Sequence, residues 1–270
     1  MKAEFHGLLD EHAEGLRKPL YLQGGNELSV DLDGPALRIG QPGRAAVFYP
    51  LARLARVLSK GEVRWHCEAL LACADGGVPV VFLGEEGGVR GYFFGSSAGE
   101  SPLYHLLRDC WRRGDGVKRY RHWRAAMAVH ARRALRRQLR QAGVGFDPSE
   151  AGPVLGTFGG LAVAARRDTR LRSGLLGLLA GLSAQLWMEA GLKVERLADL
   201  ESLPLVDDLA ELLGWALVEP LLAASSDRVE SGPGWWDERT LIALIEARRD
   251  ALFRFGRLLL GRLEHCLEEA

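Results

Sequence analysis

The apolar pattern of this chain changes once, between Gly95 and Pro102, and any fold for it has to accommodate that change. Before it, short apolar pieces (LYLQGG, NELSVDLDG, PALRIG and AAVFYPL) alternate with Gly, Asn, Asp and Pro turn signals, the pattern of strands joined by tight connections. A stretch from Val63 to Asp75 interrupts them with helical spacing through Trp65, Ala69, Leu70 and Cys73. A buried-strand run, VPVVFLG, follows, then a turn at Glu85-Glu86-Gly87-Gly88 and a further strand, VRGYFFG. Beyond Ser101 long Ala/Leu/Arg-rich stretches take over, with loops at Gly143 to Gly160 and at Ser225 to Pro233. The expected class is α+β: a β-rich module over residues 1–97, then a larger all-α domain over 98–270, joined by the small polar residues of GSSAGESP. No internal repeat is visible.

Composition narrows what such a chain does. With 47% hydrophobic residues it can bury a core. Its longest apolar run, Leu175 to Leu186, is too short and too rich in Gly for a membrane span, and Met1-Lys2-Ala3-Glu4 opens no signal peptide. A cytoplasmic protein without a membrane partner is expected. Cys67, Cys73, Cys110 and Cys266 fit neither a disulfide framework nor a zinc pattern, so buried free thiols are predicted.

Charge is segregated. The chain has 35 basic and 35 acidic residues, yet Arg112, Arg113, Lys118, Arg119, Arg121, Arg124, Arg132, Arg133, Arg136, Arg137 and Arg140 face one acid, Asp115, in the same stretch. That local excess suits a polyanion, because guanidinium forks match phosphate geometry and contribute affinity without sequence choice. From His122 to Gln141 the spacing predicts a helix with Ala128, Ala131, Leu135 and Leu139 on its packing stripe and arginines on the neighbouring faces. The alternative is a solvated helix whose arginines pair with the acid-rich C-terminal region, but the local sequence supplies few i, i+4 acids. Trp111, Tyr120, His122 and Trp123 interleave the basic run; they read as packing residues or, alternatively, as base-stacking platforms.

The order of pieces resembles a known family. LYLQGGNELSVDLDGPALRIG, then YPLARLARVLSKGEV, a helix, and VPVVFLGEEGGVRGYFFG are similar to the β-domain of the CRISPR-associated spacer-acquisition integrases, the Cas-one family. RLRSGLLGLLAGLSAQLWMEAGL resembles the family's helix running into a Gly-Leu corner, and LPLVDDLAELLGWALVEPLL its Asp-Leu-x-Glu helix. The stretch from Trp236 to Glu269 is similar to its closing helices. The resemblance implies an N-terminal β-sandwich, a helical domain, and a homodimer built partly through the β-domain. Assembly with a Cas-two-like protein and double-stranded DNA is also implied. In that family a glutamate, a histidine and an aspartate hold Mg²⁺ or Mn²⁺, and the metal supports attack of a 3′-hydroxyl on a DNA phosphodiester.

Carried over residue by residue, the resemblance puts Asp208 at the aspartate, with Glu211 one turn on, and Glu150 in SEAGPVLGTFGGL at the glutamate. Another register puts Phe158 there and leaves no acid. The histidine is missing: its place falls near Leu200, and no histidine lies between His130 and His265. Glu195, Asp199 and Glu201 are the nearby acids. A site reduced to carboxylates loses affinity for the ion and the geometry that aligns the phosphate. The expectation is therefore a DNA-binding, catalytically inactive or impaired subunit without a metal cofactor, acting as a homodimer or beside an active Cas-one-like integrase subunit. Two alternatives stay open. One is an active metal-dependent endonuclease or integrase using Glu150 and Asp208; the other is a protein-interaction adaptor without DNA contact. Trp235-Trp236, after Ser231-Gly232-Pro233-Gly234, reads as a staple onto the last helices or as a docking knob.

Overall fold

The computed structural model describes residues 17–25, 27–95, 101–141, 169–192, 204–221 and 238–268. In its first part are β1 (Lys18–Gln23), β2 (Ser29–Asp33), β3 (Ala36–Gly40), β4 (Val47–Pro50), β5 (Leu54–Lys60), β6 (Arg64–Trp65), α1 (Cys67–Asp75), β7 (Val80–Leu83) and β8 (Val89–Phe93). The strands form two sheets, ordered β1-β5-β7-β8 and β4-β3-β2-β6. In the first, β1, β5 and β7 are parallel, and β8 returns antiparallel through the Glu85-to-Gly88 turn. In the second, β2, β3 and β4 pair antiparallel, and β6 joins β2 in parallel.

Alternation along the strands of the first sheet explains the architecture. Leu20 and Leu22 of β1, Val57 of β5 and Val80 of β7 meet Val30, Leu37 and Ile39 of the second sheet, with Ala69 and Cys73 of α1 in the same core. This is the expected sandwich. Their neighbours Tyr21, Leu58, Val81 and Leu83 point the other way, into a second and larger core made with the helices. A sheet covered on both faces carries no polar alternation to mark it.

Two local readings are corrected. The helix expected from Val63 starts only at Cys67, because Arg64 and Trp65 extend to pair with Ser29 and Val30. Burial of the thiols holds for Cys73 and Cys110, and all four cysteines are free, but Cys67 is exposed.

The helical part comprises α2 (Pro102–Arg112), α3 (Gly116–Gln141), α4 (Thr169–Glu189), α5 (Leu205–Gly214), a 3-10 turn (Trp215–Leu217), α6 (Glu238–Ala247) and α7 (Arg249–Glu268). The boundary expected at 97/98 falls among residues outside the described set, between the end of β8 and the start of α2. The glycines of α4 explain how that helix approaches the first sheet. A Cβ at Gly177 would lie 2.1 Å from the Gly87 carbonyl oxygen, and one at Gly181 would lie 3.1 Å from the Leu58 side chain. At Gly177 only glycine admits such closeness, so the run that looks too Gly-rich for a membrane is a sheet-packing helix. Among the described residues no helix is long and apolar enough to cross a membrane. The helix ends in the predicted Gly-Leu corner: Gly191 has φ +75°, and the Leu192 amide donates to the Trp187 carbonyl at 3.0 Å. That is a Schellman closure.

A buried polar bridge also ties sheet to helices. Arg56 on β5 is fully buried and donates to Glu246 of α6 at 2.9 Å and to Gln185 of α4 at 3.0 Å. The Tyr21 hydroxyl donates to the same Glu246 oxygen at 2.8 Å.

Candidate nucleic-acid interface

The basic stretch lies on α2 and α3, and its helical period sorts the side chains. Tyr120, Trp123, Met127, Ala131 and Leu135 form the buried stripe of α3. Trp123 also donates its indole N–H to the Leu259 carbonyl at 3.3 Å. Tyr120 and Trp123 are thus packing residues and unavailable for stacking on bases. Trp111 is half-buried against the same core, and His122 is exposed. The predicted packing positions Ala131 and Leu135 lie in the core, while Ala128 lies half-buried at its edge. The aromatic start of the stripe extends it further toward the N-terminus than the alanine and leucine pattern indicated.

Ten of the eleven basic residues separate into two groups, and Arg112 is exposed at the end of α2. Lys118 and Arg121, and twelve positions further on Arg133, Arg137 and Arg140, are exposed in two clusters on the side of the helix away from the core. None of the five, nor Arg112, pairs with a carboxylate among the described residues. At 1.5 Å per residue the stripe from Lys118 to Arg140 is about 33 Å long, close to one turn of B-DNA. The other group has protein partners. Arg119 donates to Asp115 at 2.6 Å, and that hydrogen bond holds the Asp115 carboxyl below its usual range. Arg113 lies 3.2 Å from the Cys110 sulfur, Arg132 lies over the Trp215 ring at 6.0 Å, and Arg136 is half-buried.

Arg124 belongs to the second group in a way the linear pattern does not reveal. Its Nε lies 2.7 Å from Asp208 Oδ1, and its Nη2 lies 2.5 Å from Glu211 Oε2. The Tyr120 hydroxyl donates to the other Asp208 oxygen at 3.1 Å. Asp208 is only 6% exposed. Burial pushes its pKa above the ordinary carboxylate range; Arg124 and the Tyr120 hydrogen bond oppose that rise, and Glu211 and Asp207 add to it. Burial also pushes the Tyr120 hydroxyl up, with the Asp208 charge in support.

The start of α5 is fixed independently. Ser183 donates to the Val206 carbonyl at 2.7 Å and Trp187 to the Leu205 carbonyl at 3.0 Å, both from α4. Tyr92 of β8 donates to Asp207 at 2.5 Å. The helix carrying the acids is thus held by a sheet strand and two helices.

A divalent ion at this pair would have to share oxygens that are already engaged. Both Asp208 oxygens and one Glu211 oxygen already accept from Arg124 and Tyr120. Among the described residues no group of three or more His, Cys, Asp or Glu could hold a metal. His130 and His265 are exposed and far along the chain from the pair, and His265 lies 4.0 Å from Glu268. The pair as arranged does not fit the ion. Glu150, Glu195, Asp199, Glu201 and the Trp235-Trp236 pair lie outside the described residues.

No family model matches the chain, and no curated protein is recognisably similar. Solved structures are. The Cas1 protein TM1797 from Thermotoga maritima superposes with a TM-score of 0.67 at 16% identity, over 93% of this chain and 97% of that one. A TtCas1–DNA complex gives a TM-score of 0.57 at 17% identity, over 92% and 90% of the two chains. A Cas6-RT-Cas1–Cas2 complex gives 0.50 at 13% identity, over 95% of this chain and 35% of that longer one. The chain has a Cas1-like fold.

Proposed function

We propose that this chain is a DNA-binding subunit of a CRISPR spacer-acquisition complex, with catalysis impaired and a structural or regulatory role. The observation that carries the reading is the solvated cationic stripe of α3, free of carboxylate partners among the described residues and mounted on a Cas1-like frame. The TtCas1–DNA structure supports DNA as the polyanion, and the Cas1–Cas2 assembly supports a Cas2-like partner. Impairment rests on the absent histidine and on the engagement of Asp208 and Glu211 by Arg124. Homodimerisation through the β-domain, or pairing with an active Cas1-like subunit, completes the proposal.

Duplex-DNA binding titrated with salt tests it. If Lys118, Arg121, Arg133, Arg137 and Arg140 all neutralise phosphates, log K falls against log salt with a slope of roughly −4 to −5. Arg121→Glu, Arg133→Glu and Arg137→Glu together should weaken binding to every sequence alike and flatten that slope. Salt-insensitive binding, or none near physiological ionic strength, favours the adaptor reading instead. Mn²⁺-dependent cleavage or joining of branched DNA that disappears in Asp208→Ala establishes an active enzyme.

A further inference from the structure

We infer that Arg124 is the resident cation of the Asp208–Glu211 pair, a guanidinium standing where the fold family implies a divalent ion. The inference deepens the reading of impaired catalysis and rests on it. Its basis is the geometry of the clamp. Nε and Nη2 of one guanidinium bridge two carboxylates one helical turn apart, at 2.7 and 2.5 Å. The Tyr120 hydroxyl closes the remaining Asp208 oxygen at 3.1 Å. The side chain of Asp208 is 9% exposed, so water contributes little to its solvation, and the protein donors must supply what water does not.

A divalent ion would need these same oxygens, and it could take them only by displacing the guanidinium and leaving Arg124 without its partners. Arginine stays protonated at all working pH values, so the clamp is not opened by loss of a proton from Arg124.

The clamp has a second consequence, because Arg124 and Tyr120 stand on the same helix as the solvated arginine stripe. Asp208 and Glu211 therefore tie α3 to α5 at the rotation that the burial of Tyr120 and Trp123 sets. Acids that elsewhere would orient a metal here orient the DNA-contact helix. Arg124 is thus a positioning residue, and DNA contact by this helix needs no divalent ion bound at the pair.

Mn²⁺ binding to the full-length protein, followed by electron paramagnetic resonance without DNA, tests the clamp separately from the DNA reading. The wild-type protein and Asp208→Asn should take up Mn²⁺ equally weakly. Arg124→Ala should bind Mn²⁺ at least about tenfold more tightly than wild type, and Arg124→Ala/Asp208→Asn should lose that gain. Wild-type Mn²⁺ binding that depends on Asp208 overturns the inference, as does a folded Arg124→Ala protein that gains none. Should Arg124→Ala fail to fold, the wild-type against Asp208→Asn comparison still decides. Failure of the chain to bind DNA leaves this result unchanged.

Discussion

Removing the carboxylate of Glu246 isolates the most deeply buried charge among the described residues. Arg56 is 0% exposed, and its guanidinium donates to Glu246, the charged partner, and to Gln185, with the Tyr21 hydroxyl also against it. Its Nε already has no partner. Glu246→Ala leaves a cation in the sheet–helix interface with neutral neighbours only, and also takes the acceptor of the Tyr21 hydroxyl. Breaking one side of a buried pair costs about 3–5 kcal/mol. The Glu246 side chain is 22% exposed, so water can enter as it leaves, which favours the lower end, about 3 kcal/mol. With a guanidinium m-value of about 5 kcal/mol per molar, that loss lowers the unfolding midpoint by about 0.6 M. Far-UV circular dichroism and tryptophan fluorescence should report the same shift. The decisive control is Arg56→Met/Glu246→Ala: with the cation replaced by an apolar chain of similar length, much of the loss should return. If Glu246→Ala costs less than about 1 kcal/mol, or if the two changes are additive, the bridge is not the constraint described.

Two further predictions concern packing and protonation. Gly177→Ala should destabilise by about 2 kcal/mol, because the added methyl meets the Gly87 carbonyl and overpacking outweighs the helix propensity gained. Gly261→Ala, on an exposed face of α7 with nothing within 4 Å, should stabilise by up to about 1 kcal/mol, both changes read by guanidinium unfolding. For Asp208 the folded-state pKa is raised above its ordinary value. The proton is therefore bound more tightly in the folded chain, so its stabilising contribution is complete below the unfolded value and is lost as pH rises through the folded one. The stability lost in Asp208→Asn should consequently be larger at acid pH than at pH 7, by calorimetry across that window. A loss that grows with pH refutes the burial argument.

Much of the fold was legible because period and punctuation are local properties. The turn residues around β1 to β4, the apolar run of β7 and the switch to helical spacing after Ser101 were enough for the α+β class and the sandwich. β5 did not stand out as a strand, although it is the inner strand between β1 and β7. Arg56 and Ser59 sit inside it, and a pattern rule reads an arginine as surface. Its burial depends on Gln185 and Glu246, 129 and 190 residues away in sequence.

The candidate site divides along the same line. A dense run of arginines on a helix is written in the sequence, as is the absence of any histidine between His130 and His265. Which arginines face water and which face protein is a matter of helix rotation, and packing set that rotation when Tyr120 and Trp123 went into the core. The sequence by itself determined the change from strands to helices, the segregation of charge and the gap in histidines between His130 and His265, since each depends on residue type and spacing alone. Only the tertiary structure decided that Arg124 reaches Asp208 and Glu211 and not solvent, because a side chain's partner across 84 and 87 residues is chosen by how two helices pack.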